Sequence, residues 1–336
     1  MAAGVSATTV SHVLNDVTYA RISPETRKKV KAAAEQLGYE PNRVAQALRN
    51  RRTGVLGLVS EDVATTPHAG RIILGADDAA RARGYTLMLI NTAASAGAAS
   101  REGDVEAVLE RQVDGILYAT MYHRVLDAPA NLGKMPTVLV DAVTADGLFP
   151  SVVPDEYGGA RTAVRALLDA GHTRIGFINN VQDVPSTSER LRGFRDTLTA
   201  AGLDGGLAPV EASSSDAAGG YEAAARILRS GHPPSGLFCY NDQMAMGAYR
   251  AAAELGLSIP GDLSVVGFDD QELVAGSLFP GLTTVALPHY GMGAWAANHL
   301  IDSLEGAGDG SSAGAGTTVL ECPLVTRASV AAPRNP

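Results

Sequence analysis

Two hydrophobic rhythms run along this chain. In the first, Val10, Val13 and Leu14 fall at i, i+3 and i+4 and make one apolar stripe. Ser6 precedes them, and a serine hydroxyl there accepts from the open N–H groups of a first helical turn. The spacing predicts a short helix over residues 6–15. Its other face carries Ala7, Thr8, Ser11 and His12, three small or hydroxyl-bearing side chains and one longer hydrogen-bonding one. Such a face suits a major groove; an ordinary amphipathic surface helix shows the same pattern. The stretch from Asn15 to Ile22 has no period and reads as a loop. Ser23-Pro24-Glu25 then opens a second helix, with Val30, Ala33, Ala34 and Leu37 as its buried stripe and Gly38 as its stop. After the break at Glu40-Pro41, Asn42 caps a third element running to Arg49, about two turns long and too short to hold in water without a partner.

The second rhythm is a series of short apolar runs separated by helical patterns. The runs are residues 54–59, 85–90, 115–118 and 137–140, with helices expected at Ile72–Arg83 and Asp104–Arg111. It restarts at 174–178, 236–240 and 263–268. Runs alternating with helices predict parallel sheets covered on both faces, and the restart predicts two such lobes. Ligands of these sheets bind at the carboxyl ends of the strands. Those ends read Ile90-Asn91, Val140-Asp141, Tyr240-Asn241-Asp242 and Phe268-Asp269-Asp270. Amides and carboxylates facing one another across a cleft suit a small polar ligand. For Asn91 and Asp242, capping of the following helix is the simpler expectation.

Charge divides the chain unevenly. The first 53 residues hold nine basic side chains against four acidic ones, a net +5 on a chain whose total is −9. Asymmetry of this sign is the footprint of a small polyanion-binding module on an acidic body. No apolar run approaches a membrane span or a secretory leader, so a cytoplasmic protein without membrane contact is expected. Cys239 and Cys322 read as buried reduced thiols. No His/Cys cluster has metal-ligand spacing, the Gly158-Gly159 pair is no phosphate loop, and no nucleophile pattern accompanies the strand-end carboxylates. No cofactor, metal or catalytic residue is therefore expected. The Ala/Gly/Ser tract from Glu305 to Gly316 reads as a flexible surface loop.

Three stretches carry a resemblance: Ala3-Gly4-Val5-Ser6-x-x-Thr9-Val10-Ser11-x-Val13-Leu14-Asn15, Ser23-x-x-Thr26-Arg27-x-x-Val30, and Gly38-Tyr39-x-Pro41-Asn42-x-x-Ala45-x-x-Leu48. Together they resemble the head of the lactose-repressor (LacI/GalR) family of transcriptional regulators, and the likeness runs through nearly the whole chain. It implies a recognition helix over Ser6–Asn15 and a hinge helix over Asn42–Arg49 whose Leu48 enters the minor groove. The DNA-binding residues so implied are Ala7, Thr8, Thr9, Ser11 and His12 in the first and Asn42, Arg43, Ala45 and Leu48 in the second. Ser188-x-Arg190-x-x-Gly193-Phe194, Tyr240-Asn241-Asp242 and Val266-Gly267-Phe268-Asp269-Asp270 resemble the family's effector segments, and Pro280-x-Leu282-Thr283-Thr284-Val285 its crossover between lobes. They imply Arg190, Asn241, Asp242 and Asp269 as ligand-binding residues, and Thr66-Pro67-His68, in the place of the family's usual Asn-Pro-aromatic, implies His68. Ser214-Ser215 stands where sugar-responsive members often carry a stacking aromatic. Members usually have a further Asp-Val-Ala segment ahead of the Ala-Gly-Val-Ser run. Its absence implies either a start placed too late, the preferred reading, or a form that binds DNA poorly.

The expected fold is α/β, two Rossmann-like lobes of periplasmic-binding-protein type behind a small all-α helix-turn-helix head and a hinge helix. The divisions are residues 1–40 for the head, 41–53 for the hinge and linker, and 54–336 for an effector-binding and dimerisation core. Within the core, one lobe takes about 54–152 and 286–316 and the other about 153–285 and 317–330. The expected function is a ligand-responsive transcriptional regulator, acting as a repressor. Its partners are operator DNA, a small effector (sugar, polyol or nucleoside-like) and a second copy in a homodimer. A transporter's solute-binding protein shares the two lobes but needs an export signal and leaves the basic head unexplained. A ligand-binding core that has lost DNA binding is the other alternative.

Overall fold

The computed structural model describes residues 3–14, 20–39, 52–66, 69–93, 95, 97–306 and 316–334. The expected hinge helix with Asn42, Arg43, Ala45 and Leu48, His68, and most of the Glu305–Gly316 tract lie outside the described residues. The chain divides into two compact units, Met1–Gly54 and Val55–Pro336.

In the first unit, helix α1 (Ala7–Leu14) opens on Ser6, whose Oγ accepts from the Thr9 amide at 3.1 Å. Helix α2 (Pro24–Gln36) opens on Ser23, which accepts from the Thr26 amide at 3.2 Å, and Pro24 supplies the fixed φ of a first helical position. Val13 and Val30 are the buried residues of these helices. Leu37 departs from expectation. It is the C-cap of α2 rather than part of its stripe and is 68% exposed, with Gly38 turning the chain at φ +59° just beyond it.

The second unit contains two parallel sheets. One is built from β1 (Val55–Glu61), β2 (Thr86–Thr92), β3 (Gly115–Val125), β4 (Thr137–Val143), β5 (Ser151–Pro154) and β11 (Thr317–Leu320), in the order β11-β5-β4-β3-β1-β2. The other comprises β6 (Ile175–Asn180), β7 (Val210–Ser213), β8 (Gly236–Cys239), β9 (Ser264–Asp269), β10 (Thr283–Ala286) and β12 (Leu324–Val325), in the order β12-β10-β9-β8-β6-β7. Only the β10–β12 pair is antiparallel among these ladders. Strands such as β6 and β9 are buried along their full length, as sheets covered on both faces require. Helices α3 (Gly70–Ala82), α4 (Ala98–Glu110) and α9 (His289–Glu305) pack on the first sheet. Helices α5 (Glu156–Asp169), α6 (Pro185–Ala200), α7 (Ala217–Leu228) and α8 (Asp242–Glu254) pack on the second, around a Phe177–Phe238 stack with ring centroids 4.6 Å apart.

The chain passes between lobes after β5, between β10 and α9, and between β11 and β12. The last passage corrects the expected division at 316/317. Thr317–Leu320 pairs in parallel with Ser151–Pro154, so the first lobe keeps the chain through Leu320 and holds residues 153–154 as well. A four-residue edge strand with a half-exposed side carries too weak an apolar signal to be assigned from its own residues. Cys239 and Cys322 are buried thiols, and burial raises the pKa of both. Among the described residues no helix is long and apolar enough to cross a membrane.

Helices α3 and α9 approach until their backbones touch. A Cβ on Gly75 would lie 2.1 Å from the Tyr290 carbonyl oxygen, and one on Gly293 would lie 2.0 Å from that of Ile72. Gly75→Ala should therefore destabilise the second unit by about 1–3 kcal/mol, the range of an overpacked core. Differential scanning calorimetry checks this; an unchanged midpoint would mean that the two helices separate at no cost.

Candidate functional site

The carboxyl ends of both sheets face one cavity of about 290 Å³ within the second unit. The first lobe lines it with Thr66, Met121, Tyr122, His123 and Asp141; the second adds Glu156, Ser186, Arg190, Ser215, Tyr240, Asn241, Gln243, Asp269 and Gln271. Two backbone features aim these side chains. Strand β3 bulges between Ala119 and Arg124, so the register with β4 skips Asp141, and the Thr120 hydroxyl donates to the Asp141 carbonyl at 2.7 Å. An extra length of strand of this kind re-aims side chains, and here it turns Tyr122 and His123 to the cavity. Asp141 and Asp269 also hold left-handed backbone, at φ +59° and +101°. Aspartate tolerates that region better than most residues, and such outliers cluster at ligand sites.

Arg190 dominates the second wall. Its Nε donates to Glu156 Oε2 at 2.6 Å, its Nη1 donates to the Tyr240 carbonyl, and Nη1 lies 3.8 Å from Asp269 Oδ1. The guanidinium carbon sits 3.7 Å from the Phe268 ring centroid and 4.4 Å from that of Tyr240. Burial opposes its charge, but Glu156, Tyr240 and Asp269 outweigh burial and raise its pKa. The Tyr240 hydroxyl is held by Ser186 Oγ at 2.7 Å.

Of the sequence-predicted ligand residues, Arg190, Asn241 and Asp269 line this cavity. Asn241 also works for the fold: its Oδ1 caps α8 through the Met244 amide at 2.8 Å, and its Nδ2 donates to the Ser215 carbonyl at 2.9 Å. Asp242 does not line it, which corrects both expectations for that residue. It is fully buried behind Asn241, accepting from Thr284 Oγ1 at 2.6 Å and from the Gln271 amide at 2.7 Å, and it ties the start of α8, β10 and the segment after β9 together. Asn91 is likewise no helix cap. It lies within β2 and accepts from Ser60 Oγ at 2.8 Å. Gly158 and Gly159 serve packing: a Cβ on Gly159 would stand 2.7 Å from the Phe268 ring. Among the lining residues missed by sequence reasoning are Tyr122, His123 and Glu156. The first two follow an apolar run with no motif of their own, and Glu156 looks like an ordinary first-turn acid beside the Asp155 cap.

Two polar atoms in this lining are buried without a partner, Asp141 Oδ1 and His123 Nδ1. Burial lowers the His123 pKa, with Arg190 acting the same way and Glu156 and Glu189 against it, so the imidazole is held neutral. Burial raises the Asp141 pKa well above the usual range; Glu156 and Asp269 add to it, while Arg190 and Arg124 oppose it. Among the described residues no group of His, Cys, Asp and Glu is placed to hold a metal ion.

A second surface belongs to the first unit. Ala7, Thr8 and Ser11 are exposed on α1, while Thr9 and His12 are half-buried. The Thr9 hydroxyl bonds the Ser6 hydroxyl at 2.9 Å and so belongs to the helix cap.

The chain matches the family model described as bacterial regulatory proteins, lacI family, over residues 1–42, and that of a periplasmic binding protein-like domain over residues 164–330. It is 33% identical to the HTH-type transcriptional regulator RegA of Clostridium saccharobutylicum, with 90% of each chain covered. It is 32% identical to the ribose operon repressor of Escherichia coli strain K12, with 89% of each chain covered. Among solved structures it resembles the lac repressor dimer bound to operator and the anti-inducer ONPF, with a TM-score of 0.77, 27% identity, and 98% of this chain and 97% of that one covered.

Asp141 gives up its proton at a higher pH in the folded chain than in the unfolded chain, where the ordinary aspartate value is about 3.9. Stability from this group is complete below that value and is lost as pH rises toward the raised folded pKa. Asp141→Asn removes the loss. Its melting temperature should gain on that of the unsubstituted chain as pH climbs from acid toward neutral. A difference that stays constant with pH would show Asp141 already ionised in the fold.

Proposed function

This chain belongs to the lacI family of bacterial regulatory proteins, and from that premise we propose that it is a homodimeric, effector-controlled repressor of transcription. Operator DNA is read by α1, with Ala7, Thr8, Ser11 and His12 toward base edges and Thr9 at the capped end. Residues 41–53, with Asn42, Arg43, Ala45 and Leu48, carry the coupling between head and core. The effector is a small polar molecule of sugar, polyol or nucleoside type. Arg190 and Asp269 contact it from the second lobe, His68 from the first, and Asn241 from the start of α8. The family works by binding, not by catalysis.

The observation that carries this reading is the shared cavity. Its walls come from both lobes, and the lobes are joined by three chain passages. A ligand touching both walls stabilises one relation between lobes over another, and a change in that relation alters operator affinity by a coupling of typically about 1–3 kcal/mol. Dimerisation follows from the need to engage two half-sites together. The exposed apolar side chains of Leu273 and Phe279, 74% and 96% accessible, supply an apolar surface for it.

Arg190→Lys keeps the charge and loses the planar fork. We expect it to weaken effector binding by about tenfold or more, equivalent to about 1.4 kcal/mol, in calorimetric titration with a ligand found by thermal-shift screening. Unchanged affinity would remove Arg190 from the site. Phe279→Glu should shift the protein toward monomer in sedimentation analysis and lower operator affinity in a mobility-shift titration. A dimer that persists would place the interface elsewhere.

A further inference from the structure

We propose that Arg327 is a positioning residue of the effector site: by holding the Asp270 carboxylate it keeps the Asp269-Asp270 turn left-handed, and that form aims the Asp269 carboxylate into the cavity. This rests on the reading of the cavity as the effector site. Among the described residues five other than glycine have a positive φ, and of these only Asp269 and Asp270 are consecutive, at +101° and +53°. L-residues visit this region as single positions, aspartate more readily than most. Two in succession persist only where the surrounding structure over-determines them.

The flanks of the turn are fixed from within the second lobe and its crossover. The Gln271 amide donates to Asp242 Oδ2 at 2.7 Å, and the Asp269 carbonyl accepts from the Leu287 amide at 3.3 Å. At Asp270 itself the contact is Arg327, whose Nη2 donates to Oδ1 at 2.7 Å. This arginine stands two residues beyond β12 and is itself anchored. Its amide donates to Thr283 Oγ1 at 3.0 Å, and its Nη1 donates to the Leu282 carbonyl at 2.9 Å. The planar fork thus joins a fixed point just ahead of β10 to the turn that follows β9. The Arg327 and Asp270 side chains are 27% and 28% exposed, and an ion pair this open to water adds modestly to stability. Its weight lies in direction. Next to Asp270, Asp269 turns its Oδ2 to Gln271 Nε2 at 2.9 Å and brings its Oδ1 to 3.8 Å from Arg190 Nη1, within the cavity lining. Relaxation of the turn to negative φ would swing that carboxylate out of the ligand space.

The test uses the full chain and three substitutions. Arg327→Met keeps the stem and loses the fork. Asp270→Ala loses the pair and keeps the cost of a left-handed side chain; Asp270→Gly loses the pair and that cost together. The probes are ribose, glucose, galactose, sorbitol and adenosine, titrated calorimetrically. Against whichever probe binds, Arg327→Met and Asp270→Ala should each weaken affinity by about fivefold or more, the size of a left-handed residue's penalty. Asp270→Gly should stay within about twofold of the unsubstituted chain. Equal losses in the Ala and Gly variants, the mark of a merely structural pair, or full affinity in Arg327→Met, would overturn the proposal and leave the cavity as the effector site. A crystal structure of ligand-free Arg327→Met is the second measurement. In it Asp270 should leave the left-handed region and Asp269 should withdraw from Arg190; an unmoved turn would overturn the proposal. Should no probe bind, the effector reading for these classes falls, and the crystal structure alone decides the role of Arg327.

Discussion

The buried pair of Arg190 and Glu156 is the constraint around which the cavity is arranged. A guanidinium this deep is tolerable only because a carboxylate, a backbone carbonyl and two aromatic faces surround it. Each partner comes from a different element: Glu156 from the first turn of α5, Tyr240 from the end of β8, Phe268 from β9. The ion pair thus fixes α5 against α6, and the other contacts of Arg190 hold both helices to the ends of two strands. Removing one member would leave the other charged and buried, a loss of about 3–5 kcal/mol by the usual measure. The same residue that stabilises the lobe also faces the ligand space, so binding and lobe stability share one side chain.

Around that pair the architecture separates rigid parts from adjustable ones. Within each lobe the contacts are close. The aromatic stack of Phe177 and Phe238 fills the second core, and Gly75 and Gly293 let α3 and α9 meet backbone to backbone over the first. Between lobes the chain runs in three short passages. Packed interiors resist deformation whereas connecting segments absorb changes in φ and ψ. A ligand bridging the lobes therefore acts on their relation more than on their interiors. Asp242 shows how the second lobe stays rigid beside the site, since its buried carboxylate ties three segments together directly behind the ligand wall.

Much of this was legible in the chain. The apolar runs and helical stripes located most of the strands and helices they named, because sheets covered on both faces demand continuous apolar strands; α4, however, starts at Ala98 rather than Asp104, and β3 runs on to Val125. Motifs pointed to Arg190, Asn241 and Asp269, all of which line the cavity. Other features were not legible. Asp242 and Asn241 are neighbours of similar chemistry, and their opposite roles depend on which points toward β10. Asn91 sits at a strand end like Asp141, yet it is spent on Ser60 within the sheet. Leu37 matches the stripe of α2 and falls one residue beyond its last turn.

The sequence by itself determined what local chemistry can specify: the caps at Ser6 and Ser23, the two-lobe α/β alternation, and the basic head on an acidic body; Arg190 was legible only through the resemblance of its motif to a family's. Only the tertiary structure decided the ligand wall in full. Tyr122 and His123 enter it through a bulge, Glu156 enters because α5 meets α6, and Thr317–Leu320 joins the first lobe because it pairs with Ser151–Pro154. The physical reason is common to all of them. Hydrophobic period and capping act between residues a few positions apart, whereas the partner of a buried charge or an edge strand is set by which distant segments the packing brings together.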